Sequence, residues 1–296
     1  MTALFRREVR ALFSGLAGWL FPAFILAAAG VFVFVNNVLT ASPLFANNAV
    51  YLALCMALGC ALLAMNAFPG EARQNSERIL YALPLRTHDI VLGKLLALLT
   101  PVVISCGVLA LYPLVLSLFS ATPALGEGLS CVLALLAMGV MFTSAALFCS
   151  ACARTAVSAL IYMAVLTGVS YALPYAASYV AAMSGLNMFT LIVFLALMVM
   201  LFYLLSGDLL IGFAAAAVIE APLLLMHLRG SDAAILSAVS FVMKKLSVFE
   251  ELTLFMNGIF DFSALIYWLY IACLFAVLTE LAVKARRQGG RRALKS

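Results

Sequence analysis

About eight stretches of roughly twenty residues, each nearly free of charge, recur along this 296-residue chain. They lie near 16–35, 49–68, 94–118, 129–150, 156–181, 188–205, 208–226 and 262–283. A helix of about twenty apolar residues is what a hydrocarbon core of ~30 Å demands. The runs therefore read as membrane-spanning helices. Composition agrees: 67% of residues are hydrophobic and 10% charged, whereas soluble domains average about 45–50% and 25%. The expected fold is all-α, a polytopic integral membrane protein with no large soluble domain.

Punctuation between the runs defines the segments. Residues 3–13, ALFRREVRALF, set Leu4, Phe5, Val9, Leu12 and Phe13 on one helical face and Arg6, Arg7 and Arg10 opposite. This predicts an interfacial elbow helix over 1–15, apolar face in lipid and basic face toward headgroups. The apolar run that follows is long enough to span, which favours a first membrane helix over a cleaved signal peptide. A membrane domain is expected over 16–287. Its first two spans are separated by NNVLTASPLFANN, with Pro43, and Pro69-Gly70 ends the second. Pro101 and Pro113 are expected to bend the third. Residues 188–226 read either as two spans or as a hairpin entering partway. Residues 228–261 read as outer-face helices, with Ile235, Val239, Val242, Met243 and Leu246 at helical spacing, then Phe249, Leu252, Phe255 and Ile259. They line a gate or form a lid. Residues 288–296 form a basic tail.

Eight spans leave both ends on one side. If that side is cytoplasmic, the cytoplasmic segments hold all of the Lys and Arg residues except Arg229, Lys244 and Lys245. The positive-inside rule therefore places both termini in the cytoplasm. The basic tail then reads as a topology signal in contact with lipid headgroups, not as a nucleic-acid site.

The same rule makes residues 71–93 cytoplasmic. EARQNSERILYAL suits a short helix, with Arg73 and Glu77 as an i,i+4 pair. Pro84 stops it. Thr87 can cap the next helix, and Asp89 falls in its first turn, where the helix dipole favours an anion. That helix begins as HDIVLGK and continues into the third span. A push on the segment would thus be transmitted to a membrane helix.

The charged segment followed by LPLRTHDIVLGKLLA resembles the intracellular loop of ABC-2-type exporter permeases, and LFRREVRALFSGLAGWLF resembles their elbow helix. LSVFEELTLFMNGIFDFSALIYWLYIACLFAVLTELAVKARR (246–287) resembles the C-terminal pattern of the gliding-motility-type branch of bacterial permeases. The six-span plan of that class is exceeded by two, and 188–226 is similar to the extra pair of a longer subgroup. The resemblance implies a multi-pass subunit of the bacterial cytoplasmic membrane that pairs with a second permease, a copy or a homologue. An extracytoplasmic auxiliary protein is a further implied partner. The sequence contains no GxxxxGK[ST] phosphate loop. The implied ATP and Mg therefore belong to a separate ATPase, and Glu71, Arg73, Glu77, Arg78, Arg86 and Asp89 are the implied ATPase-coupling residues. No enzymatic activity of its own is expected.

Other polar residues carry two readings each. Glu220 lies in an apolar run, where a charge costs roughly 2.5–3.5 kcal/mol at the bilayer centre. It is a proton or substrate site, or it is protonated or meets water beside Pro222. Tyr171, Tyr175 and Tyr179 recur every four residues, as an aromatic belt or as a translocation surface. Glu280 and Lys284 form an i,i+4 pair. The seven cysteines, including Cys149 and Cys152, lie in or beside apolar runs and read as helix packing. No metal site is expected. Two rival functions stand beside the permease: an ion- or proton-coupled carrier using Glu220, and a non-transporting membrane scaffold.

Overall fold

A computed structural model describes residues 2–70, 87–119, 125–182 and 232–293. Among these residues the chain is helical, with no strand. The helices are α1 (Thr2–Ser14), α2 (Ala17–Val33), α3 (Ala49–Ala64), α4 (Thr87–Leu109), α5 (Leu111–Phe119), α6 (Leu125–Cys152), α7 (Ala156–Ala182), α8 (Asp232–Leu246), α9 (Leu252–Met256) and α10 (Phe262–Ala293). Six stretches are long and apolar enough to cross a membrane: Gly18–Val38, Phe45–Ala64, Thr87–Leu118, Leu125–Cys152, Ala156–Ala181 and Phe262–Ala285. They correspond to six of the eight expected runs. The expected runs at 188–205 and 208–226 lie outside the described residues, as do most of the segment 71–93 and Glu220.

Two compact units are present. The first comprises residues 1–169 and 251–296 and the second residues 170–250. At the centre of the first stands α6, whose most apolar stretch is 78% buried, against 17% for that of α7. α3, α4 and α10 pack around α6. Small residues let them approach: Ala134, Ala137, Gly139, Ala145 and Ala146 of α6 are buried. Close backbone approach is the usual way helices associate in lipid, where apolar burial alone gives no preference between protein and acyl chain.

Several boundaries differ from the sequence-based expectation, each for a local reason. The first span does not stop near residue 35. It continues as a π-helical turn, Phe34–Val38, and closes with Ala41 in the left-handed region at φ 53°. The Ser42 N–H donates to Asn37 O at 3.0 Å and the Ala41 N–H to Val38 O at 3.4 Å. This is a Schellman-type stop, completed by Pro43 just beyond it. α4 runs through Pro101 without interruption. The break comes at Ala110, because Pro113 lacks the N–H that would reach back to the Leu109 carbonyl. α10 extends through Ala293, so much of the basic tail expected over 288–296 is helical.

The loop between α2 and α3 is polar in sequence, and two of its asparagines are buried. Asn48 is fully buried and Asn37 nearly so. Asn36 Nδ2 donates to Asn48 Oδ1 at 2.9 Å, and Asn48 Nδ2 to Asn37 Oδ1 at 2.6 Å. Asn37 Nδ2 donates to the carbonyls of Ser42 and Leu44. The asparagines satisfy one another and the turn, which is what burial of amides requires.

At the same end of α6, the short helix α9 forms a cap. Phe255 is buried with its ring centroid 5.7 Å from that of Trp268, and its carbonyl accepts from Cys131 Sγ at 3.3 Å. Leu252 and Phe255, two of the apolar residues expected on the outer face, are buried here, while Ile259 is exposed.

Candidate functional site

The base of α4 is where the segment 71–93 enters the helical bundle, and three other elements converge on its first two turns. Thr87 is the first described residue of the helix and Asp89 lies in its first turn, where a negative charge suits the helix dipole. Of the six residues implied as ATPase contacts, Asp89 is therefore described. Glu71, Arg73, Glu77, Arg78 and Arg86 lie outside the described residues.

On one side α4 meets the elbow helix α1. Leu4 and Ile90 are buried against each other. A Cβ on Gly93 would stand 2.9 Å from Leu4 Cδ2, so glycine at 93 allows α1 to lie close against α4. The angle of α1 is fixed from its other end. A Cβ on Gly18 would meet the backbone of Leu12 at 2.7 Å. Beside it, Trp19 Nε1 donates to Phe13 O at 3.1 Å and the Phe13 and Trp19 rings meet edge to face.

Toward the C-terminal end of α3, Lys94 supplies the link. Its side chain is almost wholly buried, an expensive position for an ammonium without partners. Nζ donates to the Ala67 carbonyl at 2.9 Å, stands 3.9 Å from Glu8 Oε2, and lies over the Phe68 ring at 5.4 Å from its centroid. The Ala67 carbonyl belongs to the turn that follows α3, so the contact fixes the chain where it leaves that helix. Glu8 in turn accepts from Arg7 at 2.7 Å. One cation thus ties together α1, the end of α3 and α4.

Against α10 the contact is more exposed. His88 Nδ1 is 3.3 Å from Glu280 Oε2, and Glu280 Oε1 is 2.7 Å from Lys284 Nζ. The Glu280–Lys284 pair is the one expected from their spacing. The bridge to His88, 192 residues away in sequence, had no local signal. Neither did the burial of Lys94, which in sequence resembles any interfacial lysine at the foot of a span.

The tyrosine stripe on α7 belongs to the second unit. Tyr171 and Tyr175 share a hydrogen bond between their hydroxyls at 3.1 Å, and Tyr171 meets Phe249 edge to face. Tyr175 and Tyr179 are exposed. Ser247 Oγ donates to Ser170 O, and the Val248 N–H donates to Ser170 Oγ. The stripe is therefore partly committed to packing at Tyr171 and open at Tyr175 and Tyr179. α8 carries exposed Phe241, Val242 and Leu246 with Lys244 and Lys245 in its last turn, as an interfacial helix would. Among the described residues no group of three His, Cys, Asp or Glu could hold a metal ion.

A model of the family described as ABC-2 family transporter protein matches residues 23–187, from the first turns of α2 to just beyond α7. No curated protein and no solved structure matches the chain. The match covers more than half of the 296 residues and contains most of the membrane-length helices, so this multi-pass membrane protein belongs to the ABC-2 family of transporter permeases.

Proposed function

We propose that the chain is the membrane subunit of an ATP-binding cassette exporter, driven by separate ATPase subunits and paired with a second permease. The family match over 23–187 carries this reading. The convergence of α1, α3 and α10 on the base of α4 supports a mechanical role for that base. In this mechanism the ATPases close around ATP and Mg and push the segment 71–93. The push reaches α4 at Thr87 and is shared with α1 through Lys94 and Leu4, and with α10 through His88 and Glu280. A foot held at three points moves as one body, so a small displacement biases the whole bundle between two arrangements. The charged residues Glu71, Arg73, Glu77, Arg78, Arg86 and Asp89 are the proposed contacts with the ATPase. The excess of Lys and Arg in the segments that share a side with the termini supports a cytoplasmic location for both ends, in a bacterial inner membrane. Open Tyr175 and Tyr179 are the proposed translocation-facing groups, with Glu220 as a further polar position on the path.

The test is affinity purification of the tagged protein from native membranes in mild detergent, with identification of co-purifying chains. A stoichiometric ATPase, lost on reversing charge at Glu77 and Arg78 while the permease stays inserted, is the expected result. A homo-oligomer without ATPase would overturn the reading in favour of a carrier dependent on Glu220. Purification with a large extracytoplasmic protein and no ATPase would favour a scaffold.

A further inference from the structure

The two halves of α4 are packed differently, and Pro101 divides them. C-terminal to it, Val102, Ser105, Cys106 and Leu109 are buried. A Cβ on Gly139 of α6 would stand 2.7 Å from Val102 Cγ1, so this half of α4 lies tight against α6. N-terminal to Pro101, a cavity of about 280 Å³ opens beside the helix. Lys94, Ala97 and Leu98 line it from α4, Glu8 and Ala11 from α1, and Asn66 from the turn after α3. Its wall is therefore mixed, with charged and amide groups beside apolar ones.

The backbone is weakened at the same boundary. Pro101 has no N–H to donate to the Ala97 carbonyl, and its ring presses on that carbonyl. One turn further on, Ser105 Oγ donates to Pro101 O at 2.8 Å, and a hydroxyl bonded back to the i−4 carbonyl favours bending. Lys94, Ala97, Leu98 and Pro101 follow the i, i+3, i+4, i+7 spacing, so they share one face of α4. The clash between ring and carbonyl is relieved by spreading that face, which is the face on which the cavity lies. Lys94 reaches across to Ala67 O at 2.9 Å, while Glu8 Oε2 stands 3.9 Å from Nζ. That ion pair is longer than a charge-assisted hydrogen bond of about 2.7–2.9 Å, so it has room to shorten if the gap closes.

We propose that Pro101 is a hinge and that the cavity is the space through which the foot of α4 swings. The gap is open when the proline face is spread, and it closes when the foot moves toward α1 and the turn after α3. A bend of about 20° at Pro101 would move Lys94, about 10 Å away along the helix, by about 4 Å, and Thr87, about 21 Å away, by about 7 Å. The C-terminal half stays on α6 throughout. The proposal rests on the reading of the α4 foot as the moving element, and it names the point within α4 where the motion is taken up.

The test is double electron–electron resonance on the full chain in lipid nanodiscs, without any ATPase. Spin labels are carried on ketone-bearing amino acids, which spares the other native cysteines. One label pair, at Asp89 and Leu133, joins the foot to α6. A control pair, at Val103 and Cys152, joins the C-terminal half of α4 to α6. The foot pair should be spread over about 7 Å more than the control pair. Pro101→Ala restores the N–H and removes the ring, and should narrow the foot pair to the width of the control. Ala11→Phe fills the gap from α1, and should narrow it about a different mean distance. Equal widths for the two pairs in the unaltered chain would overturn the hinge. An unchanged spread in Pro101→Ala would overturn the role of the proline. In Ala11→Phe, an unchanged spread, or the same mean as in Pro101→Ala, would overturn the cavity as the space of the swing. Because no ATPase is present, failure here leaves the family-based reading standing, and purification without an ATPase leaves the hinge standing.

Discussion

Lys94 Nζ donates to the carbonyl of Ala67 at 2.9 Å, although the two residues stand 27 positions apart in the chain. The bond is charge-assisted and partly buried, and hydrogen bonds to charged groups contribute about 1.5–3 kcal/mol. Lys94→Met keeps the length of the side chain but leaves Ala67 O without this donor. It should destabilise the detergent-solubilised protein by roughly 1–3 kcal/mol. Thermal unfolding followed by tryptophan fluorescence measures this directly, since Trp19 is at the elbow and Trp268 in the core. An unchanged midpoint would show that the lysine is held for another reason.

Gly18 approaches the backbone of Leu12 too closely for a side chain, since a Cβ there would stand 2.7 Å from its carbonyl oxygen. Backbone cannot yield as a side-chain tip can. Gly18→Ala should therefore displace α1 and cost about 1–3 kcal/mol. Gly93→Ala should be milder, because the atom it meets is the tip of the Leu4 side chain. Shortening Leu4 to alanine should reduce the penalty of Gly93→Ala, and a double-mutant cycle of thermal midpoints would show the coupling.

Ala41 carries a conformational penalty that glycine would not. Its φ of 53° lies in the left-handed region, and its side chain is exposed, so little packing would be lost with the methyl group. Ala41→Gly should stabilise the protein by up to about 1 kcal/mol. A lowered midpoint would indicate that the looser unfolded chain outweighs the relieved strain.

Asn48 is the hub of the buried amide network. Asn48→Leu removes both partners at once and leaves Asn37 Oδ1 and Asn36 Nδ2 without it, costing roughly 1–3 kcal/mol for each group left unsatisfied. Asn36 is less enclosed than Asn48, so water can replace the lost bond there and the total should fall nearer the lower figure. Accelerated hydrogen exchange confined to residues 36–48 is the expected signature.

His88 and Glu280 give a contrasting case. Their contact is at the surface, and exposed pairs contribute about 0–1 kcal/mol. Glu280→Gln should leave the thermal midpoint nearly unchanged. If the α4 foot acts as a unit and the proposed ATPase drives it, the same variant should lower ATP-driven turnover of that proposed complex. Loss of turnover with an unchanged midpoint separates coupling from stability.

How much of this was legible beforehand depends on the range of the interaction concerned. The elbow helix was readable because Arg6, Arg7 and Arg10 oppose Leu4 and Leu12 within one short helix. That Thr87 and Asp89 belong to a helix continuing into the third span was readable from HDIVLGK running into the apolar residues behind it. The π-helical extension of α2 was not, because the asparagines that hold it look like a solvated loop until Asn48 is seen to be buried. Cys131 and Phe255 were likewise unremarkable until α9 was seen capping α6.

The sequence by itself determined the class of protein and the positions of the six membrane-length helices among the described residues. Continuous apolar runs in lipid have one way to satisfy their backbone, and the chain's own periodicity records it. Tertiary structure decided which of these helices is central, which small residues face inward, and that Lys94, Glu8, His88 and Glu280 meet at one foot. Those contacts join residues far apart along the chain. Helical periodicity says which residues share a face, but not which other helix that face will meet.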